Sequence, residues 1–88
     1  MRAHIRAVSC TTGVAEKLVT QHQTSIEEVR AALQWPVRPP RASWNDDGRG
    51  PRLLVEVTVE SGVRLRVVLR PIDVTAGTWR LATAFPIV

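Results

Sequence analysis

The sequence has no tyrosine, a single phenylalanine and a single cysteine, Cys10. One cysteine cannot form an internal disulfide, so a reducing compartment is expected. With Cys10 and only two histidines, His4 and His22, we expect neither a zinc site of the usual kind nor another bound metal. A glycine-rich phosphate loop is also missing, so no cofactor is predicted. Without tyrosine, any mechanism that needs a phenolic hydroxyl is excluded.

Long hydrophobic runs are missing as well. The start, MRAHIRAV, lacks the apolar stretch of a signal peptide, and no window approaches the length of a membrane span. The 88 residues are expected to form one domain over residues 1–88, since a chain this short builds a single thin core. We therefore expect a cytoplasmic domain without a membrane partner.

Lysine is almost absent, and Lys17 is the only one among 12 basic residues. The formal net charge of +4 therefore comes from arginine. An excess of basic over acidic residues favours a polyanionic partner, either a nucleic acid or an acidic protein. The guanidinium group suits paired contacts with phosphate and stacking on bases, although a GC-rich coding sequence would also favour arginine.

Two helices are predicted in the first half of the chain, over residues 12–22 and 25–34. The first has an apolar stripe, and the second begins at a capping-box pattern in which Ser25 is the N-cap and Glu28 lies three residues on. Pro36 disfavours helix at the residue before it, which ends the second helix.

Residues 35–51 show no periodic pattern and are rich in proline and glycine, which predicts a long loop. Trp44 and Arg41 make this loop a candidate flap that stacks on a base and touches a phosphate. The alternative is a disordered crossover without a function.

Three strands are predicted over residues 52–60, 63–70 and 78–85, the first two forming a hairpin. In the last strand, Trp79, Leu81, Thr83 and Phe85 fall on one side, and Arg80, Ala82 and Ala84 on the other. The predicted fold is α+β, with two N-terminal helices packed on one face of a C-terminal antiparallel sheet.

The middle strand, VRLRVVLR, alternates hydrocarbon with arginine. Its arginines, together with Glu56 and Arg80, would lie on the sheet face away from the helices. The surface between them would consist of small residues, including Ala82 and Ala84. Such a surface could hold a phosphodiester. It could equally be a solvated face of cross-strand ion pairs.

Three stretches, EKLVTQHQTSIEEV at 16–29, GVRLRVV at 62–68 and WRLATAF at 79–85, resemble the BrnT-like toxins of the RelE-type ribonuclease toxin fold. That family typically reads K-L-x-x-x-H-G-V-x-x-x-E-V, then G-R-x-L-x-V-V, then T-A-Y. The sequence departs from it at Gln23, where the family has glycine, and at Phe85, where the family has tyrosine. The resemblance implies a metal-independent endoribonuclease of a toxin–antitoxin pair, acting on RNA and covered by an acidic or DNA-binding antitoxin-like protein.

Candidate residues follow from the arginine side and the resemblance together. The predicted catalytic set is Arg66, Arg80, His22 and Glu56, and the predicted RNA-binding set is Arg64, Arg70, Trp44 and Arg41. Each acid–base candidate has a structural alternative: His22 at a helix C-terminus would be stabilised by the helix dipole, and Glu56 would pair with a neighbouring arginine.

Three functions remain open from the sequence. The first is the ribonuclease toxin. The second is a non-catalytic module that binds RNA or an acidic protein, and the third is an accessory subunit whose exposed face packs in an oligomer. A gene neighbour encoding a short acidic or DNA-binding protein would favour the first.

Overall fold

The computed structural model describes residues 4–35, 41–46 and 48–87. The elements in chain order are β1 (Ala7–Ser9), α1 (Thr12–His22), α2 (Ile26–Gln34), β2 (Arg41–Asp46), β3 (Pro51–Thr58), β4 (Arg64–Asp73) and β5 (Thr78–Pro86). The five strands form one sheet in the order β1-β5-β4-β3-β2. The α+β class is confirmed. No helix in these ranges is long and apolar enough to cross a membrane.

Both helices begin at side-chain caps. The Val14 amide donates to Thr11 Oγ1 at 3.3 Å, and the Glu28 amide donates to Ser25 Oγ at 3.2 Å. These bonds satisfy amides that have no partner within the helix. Glu28 Oε2 is buried without a hydrogen-bond partner, so this oxygen does not complete the predicted capping box.

Gln23 ends α1 in the left-handed conformation, with φ 51° and ψ 37°. Its amide and that of Thr24 donate to the Leu18 carbonyl oxygen. A side chain at such a cap is strained, because Cβ approaches the following carbonyl oxygen.

We therefore expect Gln23→Gly to raise the free energy of unfolding by about 0.5–1 kcal/mol, since relief of strain outweighs the larger entropy of glycine in the unfolded chain. Urea unfolding followed by circular dichroism measures the change. The matched control is Gln21→Gly inside the same helix, which should lower stability by about 1 kcal/mol. A loss of stability in Gln23→Gly would refute the assigned cap.

The helices cover one face of the sheet. Leu18, Val29 and Leu33 from the helices pack against buried strand residues, which include Leu53, Val55, Leu65, Val67, Leu69, Trp79 and Leu81. Trp79 is 1% exposed, and its Nε1–H donates to the His4 carbonyl oxygen at 2.8 Å. Burial of this apolar surface is the main source of stability.

The sheet is mixed, which corrects the prediction of an antiparallel sheet. β1 pairs in parallel with β5, whereas the other neighbouring strands are antiparallel. The amides of Arg6 and Ala7 both donate to the Gly77 carbonyl oxygen. In addition, Arg30 Nε donates to the Val8 carbonyl oxygen at 2.9 Å, which ties β1 to α2.

The predicted 35–51 loop is wrong for residues 41–46, which form β2 at the edge of the sheet. Most β2 side chains are exposed on both sides. An edge strand of this kind needs no alternation of apolar and polar residues, which explains why the sequence pattern missed it. Residues 36–40 and residue 47 of the predicted loop lie outside the described ranges.

A β-bulge in β5 changes which residues face the core. Val68 pairs with Thr83 and Leu69 pairs with Leu81, so Ala82 is the extra residue. The predicted alternation holds for Leu81 but is reversed after the bulge. Ala84 is buried in the core, at 2% exposed, whereas Thr83 and Phe85 lie on the opposite face.

Candidate functional site

Among the described residues, six arginines lie on the sheet face opposite the helices, here called the open face: Arg41, Arg52, Arg64, Arg66, Arg70 and Arg80. Their faces follow from strand alternation. Arg66 lies between buried Leu65 and Val67, and Arg80 lies between buried Trp79 and Leu81. A surface with this many guanidinium groups attracts anions.

The Glu56 carboxylate lies among these arginines. Arg41 on β2, Glu56 on β3, Arg66 on β4 and Phe85 on β5 occupy paired positions, and together they form the Glu56 row. Arg66 Nη2 donates to Glu56 Oε1 at 3.0 Å, with side chains 42% and 29% exposed respectively. Directly paired residues have Cβ atoms about 4.5–5.5 Å apart, so Glu56 has an arginine on each side.

A shallow groove of about 520 Å³ lies beside this carboxylate, towards β2. Its lining consists of Arg41, Ala42, Ser43, Leu54, Glu56 and Arg66. No hydrogen bond or ion pair joins the Arg41 guanidinium to another described residue. The groove therefore exposes a cation and a carboxylate to a bound molecule.

A second set of arginines, Arg52, Arg70 and Arg80, lies near the other end of β4 and is here called the Arg80 row. Arg70 pairs with Arg80, and Arg52 pairs with Asn45. Arg52 Nε donates to Asn45 Oδ1 at 3.0 Å, and Arg70 Nη1 donates to the Gly50 carbonyl oxygen at 3.2 Å. Ser43, Leu54, Val68 and Thr83 form the uncharged row between the two charged rows.

Arg66 and Arg80, both in the predicted catalytic set, are far apart along the sheet. Arg70, the partner of Arg80, follows Arg66 by four residues, which is about 13 Å in an extended strand. Arg64 precedes Arg66 by two residues and lies on the same face. Arg41 therefore lies closer to Arg66 and Glu56 than Arg80 does.

His22 does not join the arginines. It ends α1, which packs through Leu18 on the core side of the sheet, so its backbone lies in the helix layer. The His22 side chain lies outside the described part of the structure. The sheet separates this layer from the open face, so the backbone of His22 and the open-face arginines lie on opposite sides of the sheet.

Trp44 is also on the other side from the arginines. It pairs with buried Leu53, and its ring centroid is 5.6 Å from that of Trp79 at an interplanar angle of 39°. Such tilted stacking is favourable for aromatic pairs. Trp44 therefore extends the core at the edge of the sheet, although 44% of it stays exposed.

Sequence reasoning missed several members of the open face, among them Thr83, Phe85 and Arg52. Phe85, which is 40% exposed, was assigned to the core side because the bulge cannot be read from alternation. Arg52 could have been found, since it continues the alternation of Leu54 and Glu56 in β3.

Other reactive groups lie away from this face. Burial raises the pKa of the Cys10 thiol, and the positive charge of Arg30 opposes this shift. The thiol is therefore protonated at neutral pH and a poor nucleophile. Within the described ranges, no three histidine, cysteine, aspartate or glutamate side chains cluster as a metal-ligand set.

Comparison with known proteins adds no relative. No protein-family model, curated protein or solved structure matches the chain. The resemblance to BrnT-like toxins therefore rests on its three short motifs alone.

Proposed function

We propose that the protein is a metal-independent endoribonuclease toxin of a toxin–antitoxin pair, and that the Glu56 row is its cleavage site. The observation that carries the proposal is a carboxylate flanked by two guanidinium groups on adjacent strands, beside an open groove. The motif resemblance points to the same reaction. RNA supplies its own nucleophile, the 2′-hydroxyl, so the protein needs a base and cations on the phosphate.

The reaction assigns one role to each member of the row. Glu56 accepts the proton of the 2′-hydroxyl, and O2′ attacks the adjacent phosphorus. The P–O5′ bond breaks, leaving a 2′,3′-cyclic phosphate and a 5′-hydroxyl whose proton comes from water. Arg41 and Arg66 donate hydrogen bonds to the phosphate oxygens, where negative charge increases in the transition state.

Phe85 supplies the aromatic surface in this row. Its exposed ring is next to Arg66, so a base adjoining the bound phosphate can stack on it. Stacking of a base on an aromatic side chain contributes about 1–3 kcal/mol and tolerates any sequence. Phe85 would thus orient the nucleotide without chemical participation.

A binding module for RNA is the second candidate. Apart from Glu56, the described part of the Glu56 row contains only two arginines and a phenylalanine, so it offers no side chain with an ordinary pKa near neutrality as a general acid. The same face would then hold RNA without cleaving it. Product formation separates the two candidates.

The test is cleavage of a single-stranded RNA in buffer with EDTA, with detection of the 2′,3′-cyclic phosphate. We expect wild-type cleavage under these conditions and a loss of about 10²-fold in kcat/KM for Arg66→Ala. Lys17→Ala is the matched control, because it removes the same charge from exposed α1 in the helix layer. It should cleave like the wild type.

The possible results divide clearly. Salt-sensitive RNA binding without product would refute the nuclease and support the binding module. Equal losses in Arg66→Ala and Lys17→Ala would show that overall charge, rather than the Glu56 row, supports activity. Growth arrest on expression without a partner protein, relieved by Arg66→Ala, would support the toxin assignment.

A further inference from the structure

We propose that the Arg80 row is a second, separate phosphate-binding position for the same RNA strand. The bound RNA would then cross the open face from the Glu56 row to the Arg80 row. This inference deepens the proposed function and rests on it, since it takes RNA as the ligand. It also assigns Arg80 a binding role at a distance from the cleaved bond.

The distance between the rows requires two phosphates. Arg66 and Arg70 are separated by about 13 Å along β4. The two side chains form hydrogen bonds at separate places along β3: Arg66 contacts Glu56, whereas Arg70 contacts the Gly50 carbonyl oxygen near the start of the strand. Guanidinium groups held this way do not converge on a single phosphate.

The uncharged row between them fits the non-phosphate part of a nucleotide. Leu54 and Thr83 are partly buried there, and Val68 is 3% exposed although it faces away from the helices. This strip contains no charge that a ribose or a base would have to desolvate. Successive phosphates of a single strand are closer together than about 13 Å, so the two charged rows would hold phosphates that are not adjacent, and the intervening nucleotide would lie on the uncharged row.

Arg80 is the member of the second row with the clearest freedom to bind. Its side chain is exposed, and no hydrogen bond or ion pair joins it to another described residue. Arg52 and Arg70 are engaged with other protein groups, including Asn45 and the Gly50 carbonyl oxygen, so Arg80 is the residue of this row on which the inference rests. Replacement of Arg80 should consequently remove a ligand contact without disturbing the fold.

The experiment compares two RNA lengths with Arg80→Ala. A dinucleoside monophosphate has one phosphate and occupies only the Glu56 row, whereas a decamer reaches both rows. For Arg80→Ala we expect about 5–10-fold weaker binding of a 2′-O-methyl decamer, and a smaller loss with the dinucleoside monophosphate than with the decamer. The slope of log Kd against log salt concentration should fall by about 0.7. Lys17→Ala should leave the decamer affinity and the dinucleoside cleavage near wild type.

The 2′-O-methyl decamer cannot be cleaved, so this readout is independent of nuclease activity. The wild type could bind the decamer, with the expected loss in Arg80→Ala, yet fail to cleave natural RNA. That result would refute the nuclease proposal and support the second phosphate-binding position. Equal losses on both lengths would merge the two rows into one site and overturn the inference. Unchanged affinity of Arg80→Ala for the decamer would also overturn it. Displacement of the decamer by poly-glutamate at equal charge concentration would overturn it as well, because it would indicate an acidic protein ligand.

Discussion

Glu56→Gln is expected to lower the rate of RNA cleavage about 10³-fold while RNA affinity stays equal or increases. Glutamine keeps the shape of the side chain and can still accept a hydrogen bond from Arg66, but it cannot take the 2′-hydroxyl proton. Loss of the negative charge also removes repulsion of the phosphate. A fall in kcat without a rise in Kd would therefore identify Glu56 as the catalytic base rather than as a member of a structural ion pair only.

The stability of this variant should change little. The Arg66–Glu56 pair is partly exposed, and pairs of this kind contribute about 0–1 kcal/mol. Glu60→Gln is the matched control, since Glu60 is exposed in the β3–β4 turn and lies outside the Glu56 row. Full activity in Glu56→Gln would exclude Glu56 as the base, and an equal loss in Glu60→Gln would point to net charge instead.

Trp79→Ala is expected to lower the free energy of unfolding by about 3–5 kcal/mol, the usual cost of removing a buried tryptophan side chain. The indole is 1% exposed, stacks with Trp44 and donates to the His4 carbonyl oxygen at 2.8 Å. Its removal leaves a cavity in the core and an unpaired carbonyl. Domains of this size have only about 5–15 kcal/mol to lose, so the open face should lose its order as well.

Trp79→Phe keeps most of the ring and should cost about half as much, since it loses the hydrogen bond and part of the packing. Trp35→Ala is the control, because Trp35 is 77% exposed and should change stability by less than about 0.5 kcal/mol. Urea unfolding followed by circular dichroism suits all three variants. A Trp79→Ala protein as stable as Trp35→Ala would contradict the assigned core.

The sequence predicted the elements whose residues alternate against a core. The Ser25 cap identified α2, and the Val–Arg alternation of VRLRVVLR put the β4 arginines on one side. Such patterns are visible because burial of one face constrains every second or every third to fourth residue. Those arginines and Glu56 were accessible from sequence for the same reason.

The remaining features depend on contacts between distant residues. β2 has no apolar alternation because it is an exposed edge, and β1 is defined by amides that donate to Gly77, about seventy positions later. The bulge at Ala82 arises from pairing with β4, and it moves Phe85 to the open face. The separation of His22 from the arginines likewise needs the helix layer, which local spacing does not reveal.

Chemical-shift mapping with the 2′-O-methyl decamer tests the RNA-binding open face most directly. Addition of the RNA should shift the amide signals of strand residues in the Glu56 row and the Arg80 row, with smaller changes in α1 and α2. The account would be contradicted if the shifts were centred on α1 and α2, or if no signal shifted at RNA concentrations that saturate other basic domains. Either result would show that the open face does not bind RNA.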